Sequence, residues 1–117
     1  MRENPLKTKS YAFSIRIVKL CQYLNKEKNE YILSKQLLRS GTAVAALIRD
    51  AEFGQSKADF INKLSVGLKE ANETGYWLSL LKDTNYINLD EFLSISKDCE
   101  ELIKILVSSI KTAKRSK

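Results

Sequence analysis

The sequence contains no histidine, and this absence restricts the chemistry that the chain could perform. A serine or cysteine nucleophile would need a lysine or carboxylate as its base, and no spacing in the sequence picks out such a pair. Dinuclear metal sites in helical bundles use Glu-x-x-His motifs. No third soft ligand is available to join the two cysteines in a zinc site. We therefore expect a protein that is not an enzyme, with no catalytic residue, no metal site and no cofactor.

Glycine and proline are also scarce, with four and one among 117 residues. Folds rich in β-turns need many more of both, whereas 44% apolar and 29% charged residues are typical of long-helix proteins. The length fits one domain, residues 1–117, with a core of ordinary size. The predicted class is all-α.

Long apolar runs are missing as well, since lysine and arginine interrupt every stretch before the roughly 18 residues that a membrane span needs. Residues 1–5 lack the apolar core of a signal peptide. Cys21 and Cys99 lie among apolar residues at helical spacing, where we expect buried free thiols, with a disulfide as the less favoured alternative. These features predict a cytoplasmic protein without a membrane partner.

Apolar periodicity and polar interruptions predict four helices, at about residues 9–26, 31–53, 57–83 and 89–113, before a basic tail at 114–117. Ser56 and Asn88 are the predicted N-caps of the third and fourth helices. Short connections make successive helices antiparallel, because a short turn cannot return the chain to its starting end. The predicted fold is an antiparallel up-down-up-down four-helix bundle.

Helix one carries more apolar surface than one stripe requires. Tyr11, Ile15 and Val18 lie beside its main apolar row, which consists of Phe13, Ile17, Leu20 and Leu24. The extra width is more than a simple surface helix needs. We therefore expect something to cover it.

Residues 40–46, "SGTAVAA", could form a phosphate-binding loop or a close-packed helix face. The loop would need further glycines, a lysine beside a hydroxyl residue and a preceding strand, but only Gly41 is present and Arg39 precedes it. The helical spacing of Leu37, Gly41 and Val44 favours the helix face. The predicted packing or assembly residues are Gly41, Val44, Ala45 and, from the apolar pattern of helix three, Trp77.

Three carboxylates in helices two and three form a possible acidic cluster. Glu70, Glu73 and Asp50 are predicted to form a solvated face or to pair with nearby Lys69 and Arg49, and not to act as a general acid and base.

The net charge of +6 is concentrated at one end of the predicted bundle. Both termini and the connection between helices two and three lie there, with four acidic residues against nine basic ones: Arg2, Lys7, Lys9, Arg49, Lys57, Lys111, Lys114, Arg115 and Lys117. The opposite end has six basic and seven acidic residues. A one-sided basic field attracts polyanions such as RNA or DNA, although a lysine-rich tail can also serve solubility alone. The candidate nucleic-acid-binding residues are Arg49, Lys57, Lys111, Lys114 and Arg115.

The stretch at residues 40–81, "SGTAVAALIRDAEFGQSKADFINKLSVGLKEANETGYWLSLL", resembles a family of four-helix bundles encoded in intervening sequences of bacterial large-subunit ribosomal RNA genes. Its pattern reads "SGTSVGANYREA", then "SKADFIHKL", then "KEA.ET.YWL.LL". Where that pattern has asparagine, tyrosine and glutamate, this chain has Leu47, Ile48 and Asp50. The side-chain amide of the family pattern is therefore absent at residue 47.

The resemblance implies an antiparallel bundle that assembles into a homopentameric ring without catalytic activity. The family is also similar to the accessory protein of diversity-generating retroelements, a basic pentamer that binds nucleic acid. Together with the charge distribution, this predicts an oligomeric helical scaffold that binds RNA or DNA through its basic end. The alternative is a protein–protein adaptor whose basic end docks an acidic partner.

Overall fold

The computed structural model describes residues 4–116, so the terminal charges Arg2, Glu3 and Lys117 lie outside the described residues. The described chain forms four α-helices and no strand. The helices are α1 (Pro5–Lys28), α2 (Ile32–Glu52), α3 (Lys57–Asp83) and α4 (Leu89–Arg115). The predicted all-α class is confirmed.

Contacts between neighbouring helices show that the bundle is antiparallel. Early in α1, Lys7 pairs with Glu52 at the end of α2, whereas late in α1, the Cys21 thiol donates to the Ser34 carbonyl oxygen near the start of α2. At successive contacts, the residue numbers therefore rise along α1 and fall along α2, so the two helices run in opposite directions. The other interfaces follow the same rule, as shown by two contacts in each: Arg39–Glu73 and Leu47–Gly67 between α2 and α3, Ala71–Cys99 and Lys82–Phe92 between α3 and α4, and Lys9–Glu101 and Arg16–Asp98 between α1 and α4. Each helix packs on two others in the order α1–α2–α3–α4–α1, and α1 and α4 share the smallest interface.

The helix boundaries follow from local capping. The sequence prediction started helix one at about residue 9, but α1 begins at Pro5 because the Asn4 side chain accepts hydrogen bonds from the backbone N–H groups of Leu6 and Lys7. Proline at the first helical position is already restricted to a helical φ and has no N–H to leave unsatisfied. At its other end, α1 ends at Lys28, and the capping residue Asn29 has the positive φ, 52°, that is typical of a left-handed helix cap.

The two predicted N-caps are present. The Ser56 hydroxyl accepts from the Asp59 backbone N–H at 3.0 Å, and the Asn88 side chain accepts from the Glu91 N–H at 2.8 Å. The Asp59 carboxylate reaches back to the N–H of Gln55, at 3.3 Å. These bonds fix the points at which α3 and α4 begin.

The core contains the apolar row predicted for each helix. The row on α1 is buried, as are Leu37, Gly41 and Val44 on α2, and α3 and α4 each contribute further buried apolar residues. One polar pair lies among them, since the fully buried hydroxyls of Ser40 and Thr74 hydrogen-bond to each other across α2 and α3 at 3.0 Å.

The second apolar row of α1 remains outside this core, with Tyr11 66%, Ile15 43% and Val18 37% exposed. These three residues are called the α1 strip below, and nothing within residues 4–116 covers them.

Candidate nucleic-acid interface

The end of the bundle that carries the α2–α3 connection also holds the last turns of α4. Arg49 lies in the last turn of α2, and Lys57 is the first residue of α3. Lys111, Lys114 and Arg115 occupy the end of α4, and all five side chains are exposed. We refer to these five residues as the basic end.

Ion pairing divides the cations at this end into two groups. Lys7 lies 3.0 Å from the Glu52 carboxylate, and Lys9 lies 2.9 Å from that of Glu101. Among residues 4–116, no carboxylate lies within 4.0 Å of the charged groups of the basic end. The five candidates therefore have no described intramolecular ion pair that an external anion would have to displace.

The nearby carboxylates offset only part of this charge. Glu52 is paired with Lys7, and Asp59 accepts from the Gln55 N–H beside the first turn of α3. Asp50 is exposed, and the described part of the chain gives it no ion pair, so it fits the predicted solvated position. With Glu101, the partner of Lys9, four carboxylates stand against five unpaired and two paired cations, so the described end is net positive.

An open groove of about 470 Å³ lies between the start of α3 and the last turns of α4. Lys57 is the one member of the basic end that lines it. The other lining residues are Phe60, Ser108, Ser109, Thr112, Ala113 and Ser116. Four of these side chains carry hydroxyl groups, which can both donate and accept hydrogen bonds. The groove thus combines one ammonium group, several hydroxyls and an aromatic side chain.

Phe53, at the C-terminal cap of α2, is a residue for which the sequence pattern predicted no role. Its side chain is 78% exposed, although it is a large apolar residue. The following residue, Gly54, lies against the first turn of α3, because a Cβ atom there would be 3.1 Å from the Ala51 carbonyl oxygen and 3.3 Å from the Phe60 nitrogen. This tight connection holds Phe53 beside the start of α3. The sequence signal was a phenylalanine next to a turn, which is too common a combination to single out.

The predicted packing residues differ in their surroundings. A Cβ atom on Gly41 would lie 2.8 Å from Cγ1 and Cγ2 of Ile17, so α1 and α2 approach closely at this point. Val44 is fully buried, whereas Ala45 is half-buried. Trp77 is also half-buried, and its indole N–H donates to the Glu73 carboxylate at 3.1 Å.

The acidic residues of α3 have a different partner from the one predicted. Glu70 and Glu73 both bind the guanidinium group of Arg39 on α2, with Glu70 at 3.2 Å, and neither pairs with Lys69 or Arg49. The prediction considered cations close in sequence, but the ion pair depends on the register between two helices. No sequence pattern indicated this role for Arg39. Its ion pairs link α2 to α3 at the surface, outside the buried hydrogen bond between Ser40 and Thr74.

Both cysteine thiols are buried and free. Burial and the nearby Glu30 carboxylate raise the pKa of Cys21 to about 11, and burial together with Glu100 raises the pKa of Cys99 to about 11. Because the thiolate is the nucleophilic form, neither side chain is activated near neutral pH.

Residues 4–116 offer neither a metal centre nor a membrane span. No group of three or more histidine, cysteine, aspartate or glutamate residues is placed there to hold a metal ion. In the same part of the chain, none of the helices has both the length and the apolar character required to cross a bilayer.

Comparison with known proteins agrees with the motif in residues 40–81. Residues 2–108 match the family model described as 23S rRNA-intervening sequence protein. The chain shares 54% sequence identity with a protein of unknown function from the S23 ribosomal protein family of Bacteroides thetaiotaomicron, whose crystal structure is known. The two superpose with a TM-score of 0.90 over 91% of this chain and 98% of the other. No curated protein matches. Because the family model covers nearly the whole sequence, this chain belongs to the 23S rRNA-intervening sequence protein family.

Proposed function

We propose that this protein is a non-enzymatic, homo-oligomeric helical scaffold that binds RNA or DNA in the cytoplasm through its basic end. The observation that carries the proposal is the group of five exposed cations at one end, for which the described chain supplies no carboxylate partner. Lys7 and Lys9, at the same end, are already paired. The basic end is therefore the surface best suited to a polyanion.

Such a surface would bind phosphate groups and not a particular base sequence. Lysine and arginine side chains contact the backbone of nucleic acids, which positions the protein but carries no sequence information. Binding of this kind releases counterions, so the affinity falls steeply as salt concentration rises. The sequence has no recognition-helix motif that would add direct readout of base pairs.

Self-association would strengthen these weak contacts. The α1 strip presents three neighbouring apolar side chains to solvent, and contiguous exposed apolar patches often mark protein interfaces. The family resemblance supports a ring of five. In a ring whose basic ends face the same way, phosphate contacts from several copies act together, and avidity raises the overall affinity without any new contact.

The direct test is a charge reversal at two members of the basic end, Lys57→Glu and Lys114→Glu in one protein. Its matched control is Lys28→Glu with Lys35→Glu at the opposite end of the bundle. Both pairs change the net charge equally, and each places one new glutamate at the end of one helix and one in the first turn of another. Retention of total RNA at low salt is measured by filter binding for the three proteins.

We expect the variant of the basic end to lose RNA retention, and the control to retain at least half of the wild-type binding. The slope of log K against log salt is negative, and its magnitude should fall by about one for each lost phosphate contact. If the reversed variant binds RNA as well as the wild type does, the assignment of the site is wrong. Binding to an acidic protein but to no nucleic acid would favour the adaptor function.

A further inference from the structure

An exposed aromatic ring, that of Phe53, lies beside the cations of the basic end. Phe53 is 78% exposed, and the described part of the chain gives it no aromatic partner. Proteins that bind single-stranded nucleic acid combine a basic surface with aromatic side chains on which unpaired bases stack. An exposed charged side chain needs no special explanation, but an exposed phenylalanine beside the basic end does.

Phe53 lies between two cations of the basic end. Arg49, in the last turn of α2, precedes Phe53 by four residues. Lys57 follows it by four residues, and the turn through Gly54 lies against the backbone of the first turn of α3. The ring is thus flanked along the chain by a guanidinium group and an ammonium group.

The groove beside Lys57 extends this surface toward α4. Lys57 and Phe60 form one side, and the hydroxyls of Ser109 and Thr112 lie on the other. A volume of about 470 Å³ is within the range of pockets that hold small organic groups. Hydroxyls and an ammonium group are suitable partners for the sugar and phosphate of a nucleotide. The groove could thus accept the nucleotide next to one stacked on Phe53.

We propose that the basic end binds single-stranded nucleic acid in preference to duplex, with an unpaired base stacked on Phe53 and the adjoining phosphate held by Arg49 and Lys57. This inference rests on the proposed function and specifies its ligand. In a duplex the bases are stacked on one another and are not available to an external ring, so a duplex gains only the phosphate contacts. The additional affinity for the single strand comes from stacking.

The test compares a labelled oligouridine with a blunt RNA duplex of the same length, by fluorescence anisotropy at low salt. Phe53→Ala should weaken oligouridine binding about tenfold and leave duplex binding unchanged. Because the substitution removes no charge, the salt dependence of oligouridine binding should stay the same. Phe53→Trp, which keeps an aromatic ring at this position, should bind oligouridine as tightly as the wild type does. The control Tyr31→Ala removes an aromatic ring, 59% exposed, at the opposite end of the bundle and should have no effect.

The possible failures are distinguishable. If the wild type binds oligouridine but Phe53→Ala binds it equally well, the stacking inference is overturned while the proposed function stands. An equal loss for oligouridine and duplex would also overturn it, because stacking cannot explain weaker binding to a duplex. If the wild type binds neither RNA, the proposed function is wrong, and the inference with it.

Discussion

Gly41 determines how closely α1 and α2 approach. A methyl group at this position would lie 2.8 Å from two carbon atoms of Ile17, nearer than nonbonded carbon atoms normally come. Ile17 is fully buried and branched at Cβ, so its side chain has little freedom to move away. At this position, the absence of a side chain is a requirement of packing.

Alanine substitutions at two glycines test this account. Gly41→Ala should lower the free energy of unfolding by about 1 kcal/mol, because overpacking outweighs the gain in helix propensity. Gly75 is the matched control, since it lies in α3 and a Cβ atom there would have no neighbour within 4 Å. Gly75→Ala should therefore raise the free energy by about 0.5–1 kcal/mol. Urea denaturation measures both, and an increase for Gly41→Ala would refute the close-packing role.

The sequence could predict some of these residues and not others. The helical spacing of Leu37, Gly41 and Val44 was enough to place the glycine on a packed helix face. The Arg39–Glu70–Glu73 ion pairs and the exposure of Phe53 could not be found in this way. The ion pairs depend on the register between α2 and α3, and the exposure of Phe53 depends on the direction of the turn that follows it.

At the scale of one element, α2 begins with an unusual cap. Tyr31, the residue before the helix, makes no capping bond with its side chain. The carboxylate of Glu30, which is only 7% exposed, instead accepts from the backbone N–H groups of Ile32, Leu33 and Ser34, at 2.8–3.1 Å. One buried side chain thus satisfies most of the free N–H groups of the first turn.

Glu30→Ala should therefore destabilise the protein by about 1–2 kcal/mol, because it leaves these N–H groups without their acceptor. The control is Glu27→Ala, which removes an exposed glutamate of α1 that makes no ion pair within residues 4–116. Thermal denaturation followed by circular dichroism compares the two. Equal melting temperatures would show that the Glu30 cap contributes nothing.

The order and type of the four helices were predictable because each has a continuous apolar row and a polar interruption at its end. The start of α1 was not, since Leu6 is separated from the rest of the apolar row by a polar stretch. Ser56 and Asn88 were recognised as caps from local sequence alone. Glu30 was not, because its capping geometry differs from the usual pattern of one side chain and one N–H group.

For the whole molecule, the α1 strip leads to a prediction about assembly. Ile15→Glu with Val18→Glu places two charges on exposed positions, so the helical bundle should remain folded while an oligomer formed through this strip dissociates. The control is Ile32→Glu with Leu89→Glu, two exposed apolar residues at the starts of α2 and α4. Size-exclusion chromatography with light scattering gives the mass. The same mass for wild type and strip variant would exclude the strip as the interface.

The features of the whole molecule were largely predictable from sequence, because they depend on the composition and on the spacing of apolar and charged residues along the chain. The helix class and the grouping of charge at one end follow from the order of the residues along the chain. The groove beside Lys57 and the pairing of Lys7 and Lys9 required the three-dimensional arrangement, because each joins helices distant in sequence. Lys7 and Lys9 were not among the five candidates predicted from the sequence, and both are paired in the structure.

The central claim is that the basic end binds the phosphate backbone of nucleic acid. The most direct measurement is an electrophoretic mobility shift of total RNA by the wild-type protein at two salt concentrations. We predict a clear shift at the lower salt and its loss at the higher, because counterion release drives phosphate binding. The absence of a shift at the lower salt concentration would contradict the claim and favour an adaptor that docks an acidic protein.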